Sequence, residues 1–341
     1  NMSGGIAQLV AIGAQDAHLV GQPEVSFFRS NYKRHTNFAQ TVERQVIQGN
    51  PSANGMSTVR FERKGDMLGY VYIANRAGNI TDWSDHISKV ELLIGGQVID
   101  EQDYTFSALH AERVVSQTAS KSRQEPIKPK SFYPLRFSFC ENAQSALPLI
   151  ALQYHDVELR ITWGGTTTSD AEVYAQFIHL DTDERTALSS APQNMLITQT
   201  QKAIASASKI QELNFNHPIK YLVSTTSNGM ADTSDGQRTK LKLQINGVDV
   251  GDYKTVVPHF VETPFWYHTD YGYCAAEIHS TILLPFCLNT AKLQPTGSLN
   301  FSRLDSARLV SDYKIFDQTV YAVNYNILRI ENGMGGLMYS N

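Results

Sequence analysis

The chain has 341 residues, 42% of them hydrophobic, with 29 Lys plus Arg against 33 Asp plus Glu and a net charge of −4. That length fits two domains or one large all-β domain, and the acidic balance excludes the protein-wide positive field that draws in DNA or RNA. Only 18% of the residues are charged, below the ~25% of an ordinary soluble domain, which implies a surface that is polar or covered by partners.

The first segment, "GGIAQLVAIGAQDAHLV", spaces Ile6, Leu9, Val10 and Leu19 as an amphipathic arm, and Gly4, Gly5 and Gly13 leave it marginal as an isolated helix. It lacks the basic start and long apolar centre of a signal peptide. No stretch approaches the ~18 apolar residues of a membrane span, so the chain is expected to be neither secreted nor membrane-spanning. "EVSFFRSNYKRHTNF" follows, interleaving Arg29, Lys33, Arg34 and His35 with Phe27, Phe28, Tyr32 and Phe38. Cations on phosphates and rings on bases would make a single-strand grip. The same mixture suits an ordered segment whose rings pack inward while its cations stay in water, and with no basic field elsewhere this second reading is preferred.

Period-two patterns then dominate. "STVRFER" sets Val59, Phe61 and Arg63 against Thr58, Arg60 and Glu62, and "MLGYVYIA", "HISKVELLIGG", "LQYHDVELRITW" and "AEVYAQFIHLD" continue the habit. Past residue 210 come "IKYLVST", "TKLKLQINGVDV", "AAEIHSTILLPF", "ARLVSDYKIF" and "QTVYAVNYNILRIE". Asn246-Gly247 and Gly95-Gly96 sit between apolar alternations and predict tight hairpins. Helical spacing is confined to 103–118 and 183–191, which predicts two short connecting helices. About ten or more short strands with so few helices predict two β-sandwiches in tandem, of jelly-roll type, joined through the polar stretch 191–210.

Chemistry-bearing motifs are missing: no G-x-S-x-G, H-E-x-x-H, G-x-x-x-x-G-K-[ST] or G-x-G-x-x-G is present. His155-Asp156 occupies adjacent strand positions that point apart. His259, His268 and His279 are too scattered for a metal. The Gly-rich 333–336 has no following helix to favour an anion, and is read as a flexible or closely packed terminus. Cys140, Cys274 and Cys287 are odd in number and far apart, the pattern of reduced, buried thiols. Asn79 and Asn300 carry the short N-glycosylation pattern.

Four separated segments carry a resemblance. "GGIAQLVAIGAQDAHLVGQPEVSFFRSNYKRHTNFA", "LPLIALQYHDVEL", "TGSLNFSRLDSARL" and "VYAVNYNILRIENGMGGLMYSN" resemble the major capsid proteins of large icosahedral double-stranded DNA viruses, the phycodnavirus-like, nucleocytoplasmic group. The resemblance implies an all-β double jelly roll of two tandem eight-stranded sandwiches with short connecting helices. It implies an arm over 1–25 on the inner capsid side, a first jelly roll over 26–190, a linker over 191–210 and a second jelly roll over 211–341.

Functionally it implies a structural protein without catalysis or cofactor. A homotrimer would form a pseudo-hexagonal capsomer, tiling a virion shell over an internal membrane and meeting neighbouring capsomers and minor capsid proteins, with no specific nucleic acid. Assembly is expected in the cytoplasm of the infected cell. Arg29, Lys33 and Arg34 then become capsomer-base contacts, and Phe27, Phe28, Tyr32 and Phe38 packing anchors. Connections shorter than the family's usual insertions imply a low outer surface. The alternative from the residues alone is a carbohydrate-binding β-sandwich.

Overall fold

The computed structural model describes residues 4–78, 80, 82–110, 114, 131–166, 168–225, 238–269 and 281–340. The described residues up to Asn37 form a unit of their own, separate from the body that begins at Phe38. That first unit holds helices Gly4–Val10 and Ala17–Val20 with a 3-10 turn, Ala14–Asp16, between them. None of its side chains is buried.

The body is built from β-strands. Its first half contains β1 (Phe38–Gln45), β2 (Ile47–Gln48), β3 (Met56–Arg60), β4 (Met67–Asn75), β5 (Ile87–Ile94), β6 (Gln97–Asp103), β7 (Phe132–Pro134), β8 (Leu147–Pro148), β9 (Val157–Trp163) and β10 (Ala171–Leu180). Its second half contains β11 (Gln193–Ala203), β12 (Ile210–Glu212), β13 (Pro218–Thr225), β14 (Lys240–Ile245), β15 (Val248–Asp249) and β16 (Lys254–Thr255). Then come β17 (Thr281–Pro285), β18 (Leu299–Asn300), β19 (Ala307–Ser311), β20 (Val320–Glu331) and β21 (Met334–Leu337).

Strand order reveals the topology. In the first half one sheet runs β1-β10-β4-β7 and the facing one β2-β3-β9-β5-β6. In the second half the sheets run β11-β20-β13-β17 and β12-β19-β14-β15. Apart from the short additions β2, β8, β16, β18 and β21, the two halves follow one rule: first strand beside last, third beside sixth, second beside seventh, fourth beside fifth. This is the jelly roll, made twice, and all pairings are antiparallel.

Alternation explains each core. Val157, Leu159, Ile161 and Trp163 of β9 face Val173, Ala175 and Phe177 of β10 across the first sandwich, while the intervening residues are half-buried. Leu222, Leu241, Ile282, Leu309 and Ala322 fill the second. Both glycine-bearing hairpins form as expected, with positive φ at Gly95, Gly96, Asn246 and Gly247. The predicted helix near 183–191 is present as Thr182–Ser190; of the one near 103–118 the described part holds a π-helical turn, Thr105–His110, and residues 111–113 and 115–118 lie outside the described residues.

The stretch 191–210, expected as a linker, is instead largely occupied by β11, the opening strand of the second jelly roll. Its polar composition has a packing reason. Gln199 and Gln201 face Asn324 and Asn326 of β20 in a hydrogen-bonded belt. Below that belt Ile197, Leu328 and Ile330 continue the core of the first sandwich. Gly335 lies so close to the first sandwich that a Cβ there would meet Leu152 at 2.7 Å and Ile94 at 3.3 Å. The Gly-rich terminus is therefore of the closely packed kind.

Candidate functional site: a joint between sandwiches and its open counterpart

The joint inside the chain runs between β6, at the edge of the first jelly roll, and β11, at the edge of the second. Asp100 is buried there, and its carboxylate accepts the backbone N–H of Thr200 at 3.0 Å, the N–H of Glu101 at 2.9 Å and Nε2 of Gln102 at 3.1 Å. Nε2 of Gln199 donates to the carbonyl of Ile99, and Lys202 lies 3.8 Å from Glu101. Burial pushes the Asp100 carboxyl up to about 7, against the pull of the donors around it.

Above this edge contact the outer face of the second jelly roll is covered. Tyr221, Val223, Leu283, Tyr321 and Val323 are all buried, beneath Phe106 and Val114 from the connection after β6 and Phe265 from helix Thr263–His268. The Phe106 and Tyr321 rings lie 5.7 Å apart.

The equivalent face of the first jelly roll can be located by register. Tyr72 stands opposite Pro134 on one side and Tyr174 on the other, as Tyr221 stands opposite Pro285 and Val323. Phe132 then corresponds to Leu283, and Glu172 to Tyr321. Here nothing among the described residues of the body lies on top. Tyr70 and Phe132 are exposed, and the rings form an open array, with Tyr72 stacked on Tyr174 at 5.4 Å and edge-on to Phe132 at 5.6 Å. Tyr70, Tyr72 and Phe132 border a cleft of about 530 Å³ that also involves Pro134, Arg136 and Glu141. Tyr174 donates to Glu172 at 2.6 Å, and that bond first, with burial second, raises its phenol above the ordinary value. Arg136 and Glu141 form an ion pair of 3.6 Å with both side chains buried.

The residues singled out in the sequence lie elsewhere. Phe27 and Phe28 are 91% and 98% exposed, and Tyr32 and Phe38 are exposed too. Phe27, Phe28 and Tyr32 do not enter the chain's own core, because the segment from 24 to 37 has no regular structure to hold them against one, and Phe38 opens β1 at an exposed position. Arg29, Lys33 and Arg34 are equally exposed. Asn300 caps a 3-10 turn by accepting the N–H of Ser302, whereas Asn79 lies outside the described residues. Cys140 and Cys287 are buried, and Cys274 lies outside the described residues. No group of three or more His, Cys, Asp or Glu among the described residues could hold a metal ion. The open aromatic face was not anticipated, although the alternating Tyr70 and Tyr72 in "MLGYVYIA" were its signal.

The Major capsid protein N-terminus family model matches residues 26–224. The major capsid protein of Pyramimonas orientalis virus is 33% identical to this chain over 397 aligned positions that cover all of both proteins. The chain belongs to the major capsid protein family of large DNA viruses. A second capsid relative, from Paramecium bursaria Chlorella virus 1, is 31% identical over 442 positions, again across both full lengths. Alignments longer than 341 residues mean that these capsid relatives carry insertions this chain lacks.

A quasi-atomic model of the PBCV-1 virus capsid matches with a TM-score of 0.75 and 25% identity over 93% of this chain and 100% of that one. The Faustovirus major capsid protein, at 9% identity, shares the fold with a TM-score of 0.66 over 90% of this chain and 93% of that one. Capsid proteins of this family are structural components of the virion and not enzymes.

Proposed function

We propose that the chain is the repeating tile of an icosahedral shell, three copies closing into a capsomer of pseudo-hexagonal outline. One observation carries this reading: the outer face of the second jelly roll is covered by the first, while the matching face of the first is open. If the second jelly roll of a neighbouring copy covers that face as the first covers the second within the chain, the contact repeats from head to tail. Six sandwiches then stand around one axis and the ring closes on itself. The strand edges support the same arrangement. In the chain β6 meets β11; between copies β15 would meet β1, where Val42, Val248 and Val250 are exposed. Interfaces of this kind commonly bury about 2,000 Å² or more, in line with the low charge content.

In that assembly the N-terminal unit lies on the inner side of the shell. Arg29, Lys33 and Arg34 face acidic minor capsid proteins or the anionic head groups of an internal membrane, with Phe27, Phe28 and Tyr32 anchored in the same partner. Capsomers form in the cytoplasm of the infected cell before joining their neighbours. Size-exclusion chromatography with light scattering tests the central point. A mass about three times the 38.0 kDa of the chain is expected, and a monomer that persists at every concentration would refute it.

A further inference from the structure

Two aromatic residues of the second jelly roll are exposed. Trp266 and Tyr267 lie on helix Thr263–His268, 81% and 71% exposed, while Phe265 beside them is buried on the second jelly roll's own outer face. In the first jelly roll the corresponding connection supplies Phe106 and Val114, three and eleven residues beyond the end of β6. In the second jelly roll β15 and β16 together pair with β14 as β6 pairs with β5, Thr255 standing opposite Lys240 as Asp103 stands opposite Lys89, and the same offsets beyond the end of β16 fall on Pro258 and Trp266, both exposed. The surface that Phe106 and Val114 cover is a tyrosine-bearing sheet face, and its unoccupied counterpart is the open array of Tyr70, Tyr72, Phe132 and Tyr174.

We infer that Trp266, with Tyr267 beside it, inserts into the aromatic cleft on the first jelly roll of an adjacent copy and locks the ring. The occupant is a second copy of this chain, because the cleft corresponds by register to a face that this chain already covers with the equivalent connection. A cleft of about 530 Å³ bordered by tyrosine and phenylalanine edges accepts an indole by offset stacking and edge contacts. Tryptophan and tyrosine seated in desolvated pockets carry a disproportionate share of association energy. This inference rests on the ring reading above and adds its contact residues.

Tryptophan emission supplies the test. Of the three tryptophans, Trp83 and Trp163 are 3% and 1% exposed, so the difference between the wild-type chain and Trp266→Phe isolates an exposed reporter. Acrylamide should quench that reporter in dilute monomer and fail to do so in the assembled trimer. Trp266→Ala should raise the concentration for half-dissociation more than about tenfold, and leave the thermal midpoint of the monomer unchanged because the side chain is exposed there. Tyr70→Lys on the receiving face should act alike, and the double variant should lose little more than either single one. A trimer in which Trp266 remains open to quencher, or in which Trp266→Ala assembles as well as wild type, overturns the lock and leaves the ring intact. A chain that never trimerises removes both.

Discussion

The phenol of Tyr321 donates a 2.6 Å hydrogen bond to Oδ2 of Asp103, tying the last long strand of the second jelly roll to the sixth strand of the first. Burial first, and the Asp103 carboxylate second, hold the Tyr321 phenol well above its ordinary value, so it stays a neutral donor. Tyr321→Phe keeps the ring against Phe106 and removes this tie. A loss of about 1–2 kcal/mol in unfolding free energy is expected from urea titration, since the acceptor is charged and only half-buried. No measurable change would mean that water replaces the phenol at no cost.

Asp100 makes the same joint sensitive to pH. Its carboxyl sits at about 7 in the folded chain against an ordinary 3.8, so the folded state holds the proton more tightly than the unfolded one. The contribution to stability is therefore greatest below pH 3.8 and declines as pH rises to about 7, beyond which it is flat. Its full span is on the order of 4 kcal/mol. Asp100→Asn should abolish this component: the stability of wild type minus that of the variant, measured by denaturant melts across pH, should fall through this window. A difference that is constant with pH would show that the group does not titrate there.

The buried pair Arg136–Glu141 lies at the border of the aromatic cleft. Glu141→Leu alone leaves the guanidinium in a desolvated place and should cost about 3–5 kcal/mol, whereas Arg136→Met with Glu141→Leu should recover most of it. A double-mutant cycle followed by calorimetry reads the coupling. Additive losses would show that the two side chains act independently.

Replacing Arg29, Lys33 and Arg34 together with Gln should leave the trimer mass and melting temperature unchanged, because all three are exposed in the unit before Phe38. Shell assembly, followed by electron microscopy of particles, should be impaired, and binding to anionic vesicles or acidic partner proteins should lose its salt dependence. If the trimer itself fell apart, these cations would belong to the subunit contact instead.

Strand positions were legible wherever one face meets the core and the other meets water. "LQYHDVELRITW", "AEVYAQFIHLD" and "QTVYAVNYNILRIE" became β9, β10 and β20 because alternation records that difference directly. β1 and β11 were missed for opposite reasons. β1 is exposed on both faces as far as Val42, so no alternation marks it. β11 borders a belt of amides, so its half-buried positions Gln199 and Gln201 are polar and only Ile197 enters the core. The rings of Phe27, Phe28 and Tyr32 suggested packing, but ring type does not say whether the core they pack into belongs to the same chain.

The linear order of residues by itself determined the all-β class, the hairpins at Gly95-Gly96 and Asn246-Gly247, and, through its four matching segments, the capsid family. These depend on local backbone preference and on which residues occur in which order. Only the tertiary structure decided that β6 lies against β11, that Asp100 is buried between them, and that Tyr72 and Tyr221 occupy one register on two faces, the first open and the second covered. Those facts depend on bringing together strands a hundred residues or more apart, and period-two patterning names the face of a strand without naming its neighbour.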